Sequence, residues 1–147
     1  MIASKAEIKA LVFTNTFDME SIKDNVIQLV EWEQVMTLLG TDLYDAVVIN
    51  SGAEYDTLIG TYLKPYIAYN VKAYISKANH IKTTNKGAQT AQGSNEVIAS
   101  IEEAKREAMA MATSYRKQIV TYLDLIKPLL WEGEGDTDGI INKIIII

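Results

Sequence analysis

Apolar residues recur at helical spacing through most of this chain, which predicts a mainly α-helical protein. Ser4 and Glu7 fit a capping box that begins a first short helix. From residues 19–36 the apolar positions follow a period near 3.6, which predicts a second helix. Gly40 is suited to end that helix in a left-handed conformation. A short third helix is then expected over residues 42–49.

Two longer helices are predicted in the second half of the chain. Pro65 is tolerated only in a first helical turn, so a central helix begins at residues 62–64 and runs to about Ala78. Apolar residues on several of its faces place it in the middle of the fold. The longest helix runs from about residue 94 to Leu125, and Pro128 stops it. Its expected apolar seam has heptad-like spacing and consists of Val97, Ile101, Ala104, Ala108, Met111, Tyr115, Ile119, Tyr122 and Ile126.

A polar segment at about residues 80–92 separates these two helices. Asn85, Lys86 and Gly87 form a typical hairpin turn, and the threonine-rich flanks predict two short strands. These flanks have almost no large apolar side chains, so the hairpin cannot bury a hydrophobic face alone. We therefore expect it to contact a neighbouring molecule. The predicted interface residues in this segment are Ile81, Lys82, Thr83, Thr84, Asn85, Lys86 and Gly87.

The chain ends in an isoleucine-rich tail behind an acidic, glycine-rich linker. The linker spans residues 132–139, and residues 140–147 contain six isoleucines. A β-branched, nearly uncharged run without proline or glycine is typical of a strand that pairs with any open edge. The tail either docks on its own domain or adds to a neighbouring subunit, and we favour the neighbour. The predicted interface residues here are Ile140, Ile141, Ile144, Ile145, Ile146 and Ile147.

Together these patterns predict one helical domain followed by a separate tail. The domain covers residues 1–131 and the linker and tail cover residues 132–147. The expected fold is a small helical bundle with a long C-terminal helix, one polar β-hairpin insertion and a C-terminal strand-like tail. A length of 147 residues suits one domain of ordinary size.

Composition narrows the range of functions. The net charge of −5 argues against a general nucleic-acid binder, which needs a basic surface. The chain has no cysteine, so disulfides and thiolate metal sites are excluded. Residues 1–7 lack the continuous apolar core of a signal peptide, and no segment approaches the length that spans a bilayer. We expect a soluble chain.

The sequence offers no arrangement that predicts catalysis. His80 is the only histidine, and no nucleophile–base set around it is readable from the sequence. Phosphate-binding and dinucleotide-binding glycine motifs are absent from the sequence. Residues 136–139 have only part of the ligand series of a calcium loop, and a solvated linker is the simpler interpretation. We therefore predict no enzyme activity, no catalytic residues, no metal site and no cofactor.

The order of the motifs resembles that of tailed-phage head–tail connector proteins, with the greatest similarity to the neck ring proteins of crAss-like and other Bacteroides-type phages. The resemblance covers about residues 10–125. Each motif is weakly specific alone, and their joint order carries the resemblance. The motifs are Ile22-Lys23-Asp24-Asn25-Val26-Ile27 leading into Glu31, Leu38-Leu39-Gly40-Thr41-Asp42-Leu43-Tyr44-Asp45, Leu63-Lys64-Pro65-Tyr66-Ile67-Ala68-Tyr69, the turn at Asn85-Lys86-Gly87, and Tyr115-Arg116-Lys117-Gln118-Ile119-Val120-Thr121-Tyr122-Leu123.

This resemblance implies a structural virion protein, made in the host cytoplasm and located in the neck of the particle. Such proteins form homo-oligomeric rings, usually dodecamers, below the portal. The rings extend the DNA channel and provide a docking surface for neck and tail components, so DNA would be a partner only as it passes through. No membrane partner is implied. The isoleucine tail lies outside the resemblance, and its expected role comes from composition alone.

One alternative class of function remains open at this point. A helical adaptor or regulator without a virion role would have the same composition and the same lack of catalytic motifs. It would be a stable monomer or dimer with a peptide or protein ligand. A helical bundle that holds a metal with carboxylates is a third and less favoured interpretation.

Overall fold

The computed structural model describes residues 1–15, 17–50, 52–87 and 93–131, and for 77–87 and 93–99 it describes the backbone alone. Within these ranges the chain folds into five helices and contains no strand. The prediction of a mainly α protein is confirmed. None of the helices in the described ranges is long and apolar enough to cross a membrane.

The first three helices are short and have well-defined ends. Helix α1 spans Lys5–Val12, and the predicted capping box is present: Glu7 N–H donates to Ser4 Oγ, and Ser4 N–H donates to Glu7 Oε2. Helix α2 follows a 3₁₀ turn at Met19–Ser21 and begins as an α-helix at Asp24–Val30.

Helix α2 widens in its second half before the chain turns into α3. The segment Glu31–Met36 is π-helical, and Thr37–Leu39 returns to α-helix. Gly40, with a φ of 80°, then turns the chain into helix α3 at Thr41–Ile49. A positive φ is accessible to glycine at little cost, which explains why the predicted break falls at this residue.

Helices α4 and α5 form a long antiparallel pair. Helix α4 begins as a π-helical segment at Leu58–Leu63 and continues as an α-helix at Lys64–Gly87. Helix α5 spans Gly93–Ile126, and its 34 residues give a length of about 51 Å. Two stacked tyrosine pairs hold the helices side by side: Tyr62 with Tyr122 at 4.7 Å between ring centroids, and Tyr69 with Tyr115 at 5.8 Å.

The core surrounds α4, as the all-round apolar pattern of that helix predicts. The buried side chains of α4 are Leu58, Leu63, Tyr66, Ile67, Ala68, Val71 and Ile75. Helices α1 and α2 cover one side of α4, and α5 covers another. The predicted central position of this helix is confirmed.

The predicted seam of α5 is confirmed at Ala108 and Ile119, which are buried, and wrong at Met111 and Ile126, which are exposed. Ala112 and Leu123, which the heptad list left out, are buried as well. The buried positions from Ala112 to Leu123 fit a straight helix with 3.6 residues per turn. A strict heptad assignment drifts away from such a face. The heptad assignment therefore missed the buried face at Met111 and Ile126.

The predicted β-hairpin is not found where the structure describes its residues. Residues 81–87 continue α4 as helix. The prediction of a strand at Ile81, Lys82, Thr83 and Thr84 is therefore wrong. The prediction of a turn at Asn85, Lys86 and Gly87 is wrong for the same reason. Extending an existing helix by one residue is far easier than nucleating a new element, and α4 is already anchored in the core. Residues 88–92 of the prediction, and the tail residues Ile140, Ile141, Ile144, Ile145, Ile146 and Ile147, lie outside the described residues.

One buried carboxylate links three parts of the fold. Glu31 is 1% exposed, and its Oε1 accepts the backbone N–H groups of Ile2 at 2.6 Å and Ala3 at 3.3 Å. Its Oε2 accepts the hydroxyl of Tyr44 at 3.2 Å. Burial, with an added contribution from the charge of Glu31, raises the pKa of Tyr44 to about 12. Glu31 thus holds the N-terminal segment and α3 against α2.

We expect Glu31→Ala to lower the free energy of unfolding by about 3 kcal/mol, because it leaves two buried donors and one partly buried donor without this acceptor. Glu31→Gln keeps an acceptor oxygen and costs less. Urea denaturation measures both. Glu33→Ala is the matched control, since Glu33 lies on the same helix and is exposed. Equal losses for Glu31→Ala and Glu33→Ala would contradict the linking role.

A second contact predicts how stability depends on pH. Lys64 Nζ donates to Glu7 Oε1 at 2.6 Å, and this bond is the main reason that the pKa of Glu7 lies below its ordinary value of 4.5. A lowered folded-state pKa stabilises the fold above the unfolded value, and that stabilisation disappears as pH falls through the folded value. In urea titrations, Glu7→Gln should therefore be less stable than wild type at neutral pH, with a gap that closes in acid. A gap for Glu7→Gln that stays constant with pH would disprove the assignment.

Candidate assembly surface

The C-terminal end of α5 carries an exposed apolar surface, the C-terminal patch, made of Leu125, Ile126, Leu129 and Leu130. Leu125 is 81% exposed and Leu129 is 98% exposed. Isolated surface leucines are common, but large apolar side chains gathered at one helix end are typical of a contact site. Sequence analysis missed this patch and assigned Ile126 to the buried seam.

Local structure holds the C-terminal patch in a defined place. Lys127 has a φ of 44° and its N–H donates to Leu123 O at 2.8 Å, so α5 ends in a left-handed cap. Pro128 begins a turn in which Trp131 N–H donates to Pro128 O at 3.0 Å. The indole N–H of Trp131 then donates to Leu38 O at 3.4 Å, and its ring packs on the core. The two leucines between Pro128 and Trp131 are therefore presented on a loop tied at both ends.

Two shallow clefts lie against α5 near this patch, and we call the side chains of α5 named below, which line them, the α5 strip. Their volumes are about 300 and 370 Å³, and Lys117 and Thr121 line both. Stacking of Tyr62 on Tyr122 forms one wall. The α5 strip consists of Arg116, Lys117, Val120, Thr121 and Leu125.

Charge is unevenly distributed along the α5 strip. Arg116 and Lys117 stand at its upstream end, Asp124 is exposed farther along α5, and Leu125 leads into the C-terminal patch. Arg116 also interacts with Tyr66, where burial raises the pKa of the hydroxyl and the nearby guanidinium partly offsets that rise. Lys117 takes part in neither the Lys5–Asp24 nor the Lys64–Glu7 ion pair.

A second exposed apolar pair lies on a different element. Ile49 is 72% exposed and Val48 beside it is also exposed, at the end of α3. Asn50 ends α3 with a φ of 33°, and its Nδ2 donates to Asp56 Oδ1 at 2.9 Å. A cleft of about 280 Å³ adjoins this corner between Ala46 and Tyr55. The C-terminal patch and this corner are therefore unlike apolar surfaces on different helices.

The sequence-predicted interface residues and these surfaces are not the same set. Residues 81–87 form the last turns of α4, so the structure assigns them a helical backbone. The tail isoleucines lie outside the described residues, and their interface role stays a prediction. A sequence signal for the missed patch did exist: Leu129 and Leu130 directly follow the helix-stopping Pro128.

The described residues contain no group of three or more histidine, aspartate or glutamate side chains that could hold a metal ion. The buried polar groups of Glu31, Tyr44 and Tyr66 are hydrogen-bonded to their own neighbours in the fold. These bonds hold parts of the fold together. The exposed apolar surfaces described above are candidates for contact with a partner.

Comparison with known proteins assigns the chain to a family. Residues 35–137 match the model of a family described as a family of unknown function, DUF6712. The match covers well over half of the chain, and the protein belongs to this family. It includes α3, α4, α5, the C-terminal patch and the start of the acidic linker. No curated protein and no solved structure matches the chain.

The exposure of the C-terminal patch leads to a stability prediction. Leu129→Ser should change the free energy of unfolding by less than about 0.5 kcal/mol, because the side chain buries almost nothing in the subunit. Leu123→Ala, on the fully buried face of the same helix end, should cost about 3 kcal/mol. Urea denaturation at low protein concentration compares them. Equal losses would mean that Leu129 belongs to the core and that the patch is not a free surface.

Proposed function

We propose that this protein is a structural subunit of a homo-oligomeric ring in the head–tail connector of a tailed-phage virion. The exposed apolar end of α5, with Leu129 almost wholly in solvent, is the observation that carries the assembly part of the proposal. The virion part is supported by the order of motifs that resembles phage neck ring proteins. In this role the ring lies below the portal, extends the DNA channel and docks neck or tail components.

The mechanism is geometric. A ring needs two different surfaces on each subunit, because head-to-tail contacts close when the rotation between neighbours divides the circle. The C-terminal patch on α5 and the Val48–Ile49 pair on α3 are two such unlike surfaces. Burying apolar side chains of this kind contributes roughly 25 cal/mol per Å² of apolar area, which favours association over exposure.

The α4–α5 pair suits the role of a rigid arm. Two tyrosine stacks and the buried alanines Ala108 and Ala112 fix its helices closely along their shared length. We propose that the turns at residues 81–87, at the far end of α4, contact the portal or a neighbouring ring. The β-hairpin first expected there is replaced by helix, and the contact role is kept. Lys82 and Lys86 supply cationic side chains in this segment.

Electron microscopy of the purified full-length protein, alone and mixed with the portal protein encoded in the same genome, tests the proposal. We expect closed rings whose formation or regularity increases with portal. Leu125→Ser combined with Leu129→Ser should reduce ring formation at least tenfold in light scattering while the subunit stays folded, because both side chains lose an apolar contact.

Leu11→Ser is the control for that experiment, since Leu11 is an exposed leucine on α1, remote in sequence from both surfaces. It should leave ring formation unchanged. A strict monomer that never binds a portal would contradict the proposal. If that monomer instead bound a peptide, the adaptor alternative would replace it.

A further inference from the structure

The apolar corner at the end of α3 is also acidic. We call this surface the α3 corner, and it consists of Val48, Ile49 and the cleft beside them. Residues 41–63 carry four carboxylates and no lysine, arginine or histidine. All four carboxylates are exposed, on Asp42, Asp45, Glu54 and Asp56. Glu54 lines the cleft itself, so a partner that covers Ile49 meets negative charge.

The C-terminal patch carries charge of the opposite sign. Lys127 lies between Ile126 and Leu129 in the sequence, and it is exposed. Residues 116–131 contain three cations and one carboxylate, that of Asp124. The two surfaces therefore combine exposed apolar side chains with opposite charges, which is the kind of complementarity that selects partners at protein interfaces.

A protruding side chain on one surface also matches a cleft on the other. Leu129 is 98% exposed, and the loop that carries it is tied at both ends. The cleft beside Ile49 and Tyr55 has a volume of about 280 Å³, which accommodates a leucine side chain. The hydrogen bond from Asn50 Nδ2 to Asp56 Oδ1 holds this corner in place. Two surfaces that are already formed lose little conformational entropy when they meet.

We infer that the C-terminal patch of one copy docks on the α3 corner of a second copy, with Leu129 in the cleft beside Ile49 and Lys127 facing Glu54. This inference rests on the self-assembly in the proposed function and identifies the two surfaces that meet. Within one copy the surfaces do not cover each other, since Leu129 is 98% exposed and Ile49 is 72% exposed in the folded subunit.

Charge selects this pairing over contacts between like surfaces. Two C-terminal patches face to face would bring two Lys127 side chains together, and two α3 corners would bring two Glu54 side chains together. A patch on a corner pairs opposite charges and joins two different surfaces, as a ring requires. The carboxylates of residues 132–138 are a competing partner for Lys127 in its own copy, and the charge variants below separate the two arrangements.

The absence of cysteine from the sequence allows a direct test by crosslinking in the full-length protein. Leu130→Cys in one copy and Gly52→Cys in a second copy of different mass are mixed and treated with a short thiol-to-thiol crosslinker. Gly52 lines the cleft, and a side chain added there meets no atom within 4 Å. We expect a crosslinked heterodimer. Ala10→Cys, at an exposed position on α1, replaces Gly52→Cys in the control and should give none.

The position of a second substitution tests which copy supplies which surface. Leu129→Ser in the copy with Leu130→Cys should lower the heterodimer yield at least tenfold, because the buried anchor is lost. The same substitution in the copy with Gly52→Cys should have little effect, since the patch of that copy is not part of the crosslinked contact. An equal loss in both cases would mean a two-fold symmetric dimer, which would keep the contact and contradict the ring.

A charge exchange provides an independent readout. Lys127→Glu in the copy with Leu130→Cys should lower the yield about threefold, in line with a surface ion pair. Glu54→Lys in the other copy should restore it. Lys23→Glu, at an exposed lysine outside both surfaces, should leave the yield unchanged. Loss without restoration would assign Lys127 to a different partner and overturn the pairing with Glu54.

The outcomes separate this inference from the proposed function. Homodimers crosslinked through Leu130→Cys in place of the heterodimer would show patch-to-patch contact and overturn the inference. Rings in the microscope without the heterodimer would also overturn it and leave self-assembly standing. The heterodimer together with failure to bind a portal would support the inference and contradict the virion role.

Discussion

The buried carboxylate of Glu31 is the constraint on which the first half of the fold depends. A carboxylate taken out of water needs several donors, and this one finds two backbone N–H groups and the Tyr44 hydroxyl. Those donors come from the N-terminal segment and from α3, so satisfying one side chain positions two elements. The helix around Glu31 is π-helical, and such widened turns often occur where a side chain serves a special role. The hydrogen bonds of Glu31 and the widened helix around it both indicate that this residue positions the elements that cover α4.

The elements that pack on α4 determine which side of the α4–α5 pair stays exposed to solvent. Helices α1 and α2 pack on α4, and α5 buries Ala112, Ile119 and Leu123 toward the same core. The opposite side of α5, with Lys117 and Thr121, then has no intramolecular cover within the described ranges. Because the tyrosine stacks fix α5 against α4, this side keeps its shape without a partner. A preformed surface binds with a smaller loss of conformational entropy than one that must first become ordered.

The sequence was a good guide where one physical signal dominated and a poor guide where two competed. The capping box at Ser4 and Glu7, the break at Gly40 and the central position of α4 each follow from local chemistry or periodicity, and the structure agrees. Turn chemistry at residues 85–87 competed with continuation of an anchored helix, and the helix prevailed. The C-terminal patch could not be predicted because exposure depends on tertiary packing. Leu123 and Leu125 are similar in sequence terms, yet one is buried and the other exposed.

The exposed apolar end of α5 bears on how the proposed ring would close. Leu123 is fully buried, whereas Leu125 and Leu129 are 81% and 98% exposed, so one helix end serves both the core and the surface. In the proposed ring, an open chain of subunits would leave one such surface uncovered, and closure of the ring would cover it. Covering it would remove apolar area from water at roughly 25 cal/mol per Å², so closed rings would be favoured over open chains.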